Sequence, residues 1–147
     1  MVFFRQFILA TIAVIGFAGY FNVKGKKVLV GACISGGFSF AIFSHFSQLD
    51  QVVFGTFVAA LLIGLIGEFL SVRLKAPSTV FITPGIIPLV PGAGMYYTML
   101  DFVNEDFQSM ISTGANTIFI AGSIAMGILV ASIFSRSLQR MRRHNFK

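Results

Sequence analysis

Apolar residues fall in five long runs, at 2–21, 28–46, 52–72, 78–100 and 109–134, separated by short polar segments. Each run is close to the roughly 20 residues a helix needs to cross a hydrocarbon core about 30 Å thick. The pattern predicts an all-α integral membrane protein with about five transmembrane helices, forming a single transmembrane domain over 1–147. The first run is interrupted only by Arg5, Gln6 and Thr11. A signal peptide is its rival reading, with Arg5 as basic region and residues 7–18 as apolar core, but no small-x-small cleavage site follows. The second run places Gly31, Ser35 and Ser39 at spacing four, and the third places Ala60 and Gly64 likewise, with Gly67 beside them. The last carries a ladder of Ser123, Gly127, Ala131 and Ser135. Small residues at this spacing share one helical face and let another backbone approach, so all three predict packing seams.

The fourth run departs from this pattern. Thr83 to Gly94 reads Thr-Pro-Gly-Ile-Ile-Pro-Leu-Val-Pro-Gly-Ala-Gly and holds three of the chain's four prolines. Each proline lacks an N–H and clashes with the carbonyl four residues back, at roughly 3 kcal/mol or more inside a helix. The carbonyls released are those of Val80, Pro84 and Ile87. Hydrocarbon cannot satisfy them, so such a stretch is tolerated only inside protein or beside a wet cavity. A kink rescued by neighbouring helices is the plain reading for one proline. Three prolines with Gly85, Gly92 and Gly94 predict a discontinuous fourth helix on a transport path. A half-helix restarting near Pro91 would offer the N–H groups of Gly92, Ala93 and Gly94 to an anion, and Thr79 and Thr83, one turn apart, would add hydroxyls. The candidate substrate-binding residues are thus Thr79, Thr83, Pro84, Gly85, Pro88, Pro91, Gly92, Ala93 and Gly94, with Asn116 of the last run. Asn116, Thr113 and Thr117 could equally bond neighbouring helices.

Composition strengthens the membrane reading. Apolar residues make up 56% of the chain and charged residues 11%, against about 25% charged in soluble domains, and mean hydropathy is +0.87. The net charge of +6 does not indicate nucleic acid, because the basic residues sit at the ends of apolar runs. Lys24, Lys26 and Lys27 are followed by the lone acid Asp50, then Arg73 and Lys75, then Asp101, Glu105 and Asp106, then a basic tail of Arg136, Arg140, Arg142, Arg143 and Lys147. Under the positive-inside rule this alternation puts the N-terminus outside and the C-terminus in the cytoplasm, with Arg5 dissenting. The flanks of 78–100 carry opposite charge, which favours a crossing over a re-entrant loop.

Catalytic chemistry is sparse. His45 and His144 stand apart, and Cys33 is the sole cysteine, so neither a metal cluster nor a nucleophile–base pair can be assembled. No enzyme activity, metal or cofactor is expected. Glu68 is the only carboxylate inside a run, which makes it a candidate proton-coupling residue. Snorkelling towards Arg73 or Lys75 is the competing reading. Phenylalanine is abundant at 18 residues with no tryptophan, as lipid-facing bulk explains.

Pro77-Ser78-Thr79-Val80-Phe81, followed by Ile86-Ile87-Pro88-Leu89-Val90-Pro91-Gly92 and Tyr96, resembles the signature of the threonine/serine exporter family, in particular its smaller, C-terminal-type half. Gly16-Phe17-Ala18 with Phe21-Asn22-Val23 is similar to the same half. The resemblance implies a five-helix unit of the bacterial plasma (inner) membrane that works with a larger five-helix half bearing a hydrolase-like polar region. It further implies export of threonine and serine, or of dicarboxylates such as succinate in split two-subunit members, driven by the proton motive force. Glu68 lies outside the signature. The expected function is therefore a subunit of a secondary-active exporter of a small metabolite. The alternative is a non-transporting scaffold or pore-forming assembly whose broken helix is a packing device. The small-residue faces predict association, with the larger half or between copies of this chain.

Overall fold

A computed structural model describes residues 2–23 and 25–144, with side chains over 4–23 and 25–137. Lys24 and Lys147, and the side chains of Arg140, Arg142, Arg143 and His144, lie outside the described residues. The helices are α1 (Val2–Tyr20), α2 (Lys26–Gln48), α3 (Val52–Leu74), α4 (Thr79–Ile86), α5 (Gly92–Val103) and α6 (Phe107–His144), with a 3-10 turn at Ile87–Leu89 between α4 and α5. Helix α6 runs ten residues past the apolar run ending at 134, because arginine, leucine, glutamine and methionine sustain a helix after hydrophobicity has ended.

The ends of these helices share one device. The residues Asn22, Asp50, Lys75 and Glu105 adopt left-handed backbone conformations, with φ of 52°, 59°, 52° and 60°. Each is followed by an N–H that reaches back over the last turn: Val23 to the Ala18 carbonyl, Gln51 to Phe46, Ala76 to Ser71 and Asp106 to Asp101, at 2.9 to 3.2 Å. This closure satisfies carbonyls that a helix end would otherwise leave bare. At the start of α6, the Ser109 N–H donates to Asp106 Oδ1 at 3.1 Å, a side-chain cap of the kind aspartate favours.

The core is built on close backbone approach more than on side-chain bulk. The predicted seam on α2 is real: Gly31, Ser35, Gly36 and Ser39 are all buried, with Ala32, Cys33, Gly37 and Ala41 beside them. Gly36 lies against Gly85 of α4, where a methyl built on Gly36 would stand 3.0 Å from the Gly85 Cα. Gly31 receives Leu70 and Phe81, and Gly67 of α3 receives Phe81 and Ile82. Phe81 is fully buried and, among the described residues, is the largest side chain that is. It fits because two glycines, Gly31 and Gly67, clear the space around it.

Helices α1 to α4 alternate in direction, and α5 and α6 oppose each other. Gly37 of α2 meets Phe7 and Thr11 of α1, Gly55 of α3 meets Phe46 of α2, and Gly94 of α5 meets Thr117 of α6. Helices α3 and α6 run parallel, joined where Gly127 rests on Phe57 and Ala60 and where Gly64 rests on Ala131. The fourth segment is broken as predicted. Pro84 lies inside α4, Pro88 in the 3-10 turn, and Val90 is extended at φ −61° and ψ 128°. The axes before and after the break differ by 46°. A re-entrant loop must reverse direction, so this is one bent segment that keeps its heading. Helix α4 is held by α1, α2 and α3, whereas α5 packs chiefly on α6.

Candidate functional site

At the end of the bundle where α1 stops and α2 and α4 start, two distant stretches of sequence enclose a cavity of about 410 Å³. Phe21, Asn22, Val23 and Val28 form one wall, and Ala76, Pro77, Thr79, Val80, Thr83 and Pro84 form the other. The first wall is shaped by the left-handed turn at Asn22. The second follows the matching turn at Lys75 and is pinned by the Ser71 hydroxyl, which donates to the Ala76 carbonyl at 2.7 Å. Pro84, where the helix begins to fail, is the innermost of the wall residues along α4.

The threonines here differ from all those elsewhere but Thr113. Thr11, Thr56, Thr98 and Thr117 each donate back to the carbonyl four residues earlier at 2.7 Å, which spends the hydroxyl locally. Among the described residues, the hydroxyls of Thr79 and Thr83 have no such partner. Both are exposed to the cavity. Among the described residues no carboxylate lines the cavity, while Lys26, Lys27, Arg73 and Lys75 lie within three residues of its wall segments in sequence. The local field is therefore positive. The C-terminal ends of α1 and α3 and the N-terminal ends of α2 and α4 meet here, so partial charges of both signs face one space.

Of the predicted site residues, the structure brings Thr79, Thr83 and Pro84 together in this cavity and disperses the rest. Gly85 turns away, buried against Gly36 and Ile63. Pro88 and Pro91 are half-buried, and Gly92 and Ala93 are exposed. Two sequence expectations need correction. The Gly92 N–H is not free, because it donates to the Val90 carbonyl at 2.8 Å, and the Ile87 carbonyl is not bare, because it accepts from the Val90 N–H at 3.2 Å. A tight turn absorbs both groups. Gly94 is spent on packing against Thr117, and Gly114 receives Thr98 in return. Asn116 is exposed on α6, away from the cavity. Glu68 is half-buried on α3, one turn beyond the Gly64–Ala131 contact, and does not line the cavity. Arg73 stands 5.6 Å over the Phe69 ring, and among the described residues neither Arg73 nor Lys75 forms an ion pair with Glu68.

Sequence reasoning missed Asn22 and Ser71 as site-building residues. The Ser39 hydroxyl is fully buried without a hydrogen-bond partner, one turn beyond the Gly36–Gly85 crossing and thus level with the 3-10 turn. Asn22 carried a signal, since Phe21-Asn22-Val23 belongs to the resemblance. Only folding shows that it faces Thr79 and Thr83.

The fold and the site thus define a multi-pass helical membrane protein with a discontinuous helix and a polar-edged cavity at its foot. Comparison with known proteins narrows this further. The chain matches the family profile "Threonine/Serine exporter, ThrE" over residues 6–134, and it belongs to that family. It is 32% identical over 136 residues to a Haemophilus influenzae protein of unassigned function, covering 86% of this chain and 45% of the relative. It is 28% identical over 88 residues to the Threonine/serine exporter of Corynebacterium glutamicum, covering 60% of this chain and 18% of that protein. The chain thus spans less than half the length of either relative. No solved structure matches it.

Proposed function

We propose that this chain is the smaller part of a secondary-active exporter of threonine and serine, and that the cavity at the foot of α4 is where substrate enters. What supports the reading most is one observation: the two family-signature stretches, more than fifty residues apart, meet in a single cavity that holds two unpaired threonine hydroxyls. Its 410 Å³ lies within the roughly 300–1,000 Å³ of small-ligand sites. With the N-terminus outside and the C-terminus in the cytoplasm of a bacterial inner membrane, the cavity opens to the cytoplasm, the side on which an exporter must load. A zwitterion matches the mixed helix ends, its carboxylate towards α4 and the lysines and its ammonium towards the carbonyl ends of α1 and α3. A C4 dicarboxylate is the second substrate class, favoured by the surrounding positive charge. From Pro84 the path follows the break towards the first-turn amides of Ala93 and Gly94. Glu68 serves as proton carrier on the α3–α6 face.

The test is efflux from vesicles containing the whole exporter, this chain with the remaining half, preloaded with threonine, serine or succinate. Changing both Thr79 and Thr83 to valine keeps shape and removes two donors. Loss of good hydrogen bonds to a polar substrate is worth about 1 kcal/mol each, so the double variant should raise KM for efflux about tenfold or more. An unchanged KM overturns the cavity as binding site. A scaffold role is the second reading, favoured by the spending of Gly85 and Gly94 on packing, and absence of efflux for all three substrates would select it.

A further inference from the structure

Contacts between α3 and α6 fix how far α6 reaches. Phe57 and Ala60 meet Gly127, and a shallow groove pairs Val53 and Phe54 with Ile118 and Phe119. The first residue of α3 is therefore level with about residue 118 of α6. Residues 107–118, some 18 Å of helix at 1.5 Å per residue, project beyond the start of α3. Helix α5 accompanies them, locked by the reciprocal pairs Gly94–Thr117 and Thr98–Gly114. The two form an arm that leaves the bundle and has no core of its own: α5 has no buried residue, and within 107–118 none is buried either.

The arm is nevertheless not a plain lipid surface. Asn116 is exposed on it, and among the described residues its carboxamide has no hydrogen-bond partner. An unpaired amide on a helix surface is a hydrogen-bonding group open to a neighbouring helix. Tyr96 and Tyr97 are 63% and 55% exposed, and Gly122, where the arm joins the α3–α6 groove, has open space around its Cα. Glycine in a helix costs about 1 kcal/mol relative to alanine, and left open beside a groove it lets another backbone come close. Relatives that contain this unit are more than twice its length, so the polypeptide needed to cover such a surface exists in them.

We propose that the α5–α6 arm, with Asn116 and the adjoining Gly122 groove, is the docking surface for a transmembrane helix from the part of the exporter that this chain does not contain. That helix lays a small-residue face on Gly122 and presents a hydrogen-bonding side chain to Asn116. The inference rests on the exporter reading for the existence of the partner, and places it on one specific side of the molecule.

Site-specific photocrosslinking in native membranes tests it, using benzoylphenylalanine at Tyr96, Ile111 or Ile118 and, as controls, at Ile12 or Phe17 on the outer face of α1. Mass spectrometry then identifies the joined peptides, with isotopically mixed cells marking any link between two copies. The expected result is adducts to a transmembrane peptide of the larger exporter half, at least fivefold more from the arm than from α1, and reduced severalfold by Asn116→Leu or Gly122→Leu. Adducts to a second copy of this chain, to lipid alone, or equal yields from α1 overturn the proposal. Crosslinking needs no transport, so efflux without arm adducts would sink the docking surface and leave the exporter reading intact, while arm adducts without efflux would do the reverse.

Discussion

Gly36→Ala is the sharpest test of a bundle built on backbone approach. A methyl at this position would lie 2.7 Å from Val14 Cγ2 and 3.0 Å from the Gly85 Cα, where carbon atoms prefer about 3.5–4.0 Å. Neither neighbour can yield cheaply. Val14 is fully buried and stiff at χ1 in a helix, and Gly85 is contacted through its backbone. Close to 1 Å must be opened on two sides of α2 at once, and overpacking of this kind costs about 1–3 kcal/mol. Position 16 on α1 provides the control: nothing lies within 4 Å of a methyl there, and alanine in place of glycine in a helix gains up to about 1 kcal/mol.

The protein carries its own probe for this. Cys33 is the only cysteine, lies three residues from Gly36, and is 8% exposed. Its alkylation by a membrane-permeant maleimide, under conditions where reclosing outpaces labelling, reports the opening equilibrium around α2. At 1.4 kcal/mol per tenfold, Gly36→Ala should speed labelling about 5- to 150-fold, whereas Gly16→Ala should leave it unchanged or slower. Equal rates for the two variants would refute the claim that the Gly36–Gly85 crossing is close-packed.

Further predictions concern the cavity, Glu68 and the start of α6. Asn22→Gly keeps the left-handed turn and removes the carboxamide, so thermal stability should hold while KM for efflux rises; if both are unchanged, the side chain does not meet substrate. Glu68→Gln should leave gradient-free exchange intact and abolish the dependence of efflux on a pH gradient, and a retained dependence removes Glu68 from coupling. Asp106 is held below the ordinary carboxylate range by its hydrogen bonds with the Ser109 side chain and backbone N–H. A lowered folded value means its stabilisation is present above the unfolded pKa of about 3.9 and fades as pH falls through the folded value. Hydrogen exchange in the first turn of α6 should therefore quicken below about pH 4, and Asp106→Ala should give that fast exchange at neutral pH.

Much of the architecture was legible because hydrocarbon constrains sequence strongly. Apolar runs located the helices, small residues at spacing four located the seams on α2 and at Gly127, and prolines located the break. What failed to show was the spatial sorting of the break's residues. Thr83-Pro84-Gly85 is contiguous in sequence, but successive helical residues point about 100° apart. Thr83 thus faces the cavity while Gly85 faces α2 and α3. The bare amide at Gly92 was expected from helix-end rules that assume a regular start, and the Val90–Gly92 turn supplies an acceptor those rules do not foresee. The offset of α6 relative to α3 was likewise hidden, since run lengths say nothing about register.

This sorting explains how one motif can both weaken and anchor a helix. If the prolines alone set α4, three lost or strained hydrogen bonds would leave it mobile against lipid. Instead Gly85 is pressed onto Gly36, and Phe81 fills the gap that Gly31 and Gly67 leave, so α4 is fixed by shape where its backbone bonding is poorest. The cavity lies just below that fixed point, between two helix ends closed by left-handed turns at Asn22 and Lys75. Its rim is held by backbone hydrogen bonds and its inner end by a helix that cannot bond straight through Pro84. Any rearrangement that opened a path outward would then fall above Pro84, in α5, which has no buried residue, more than in the 3-10 turn, whose Leu89 is buried in the core.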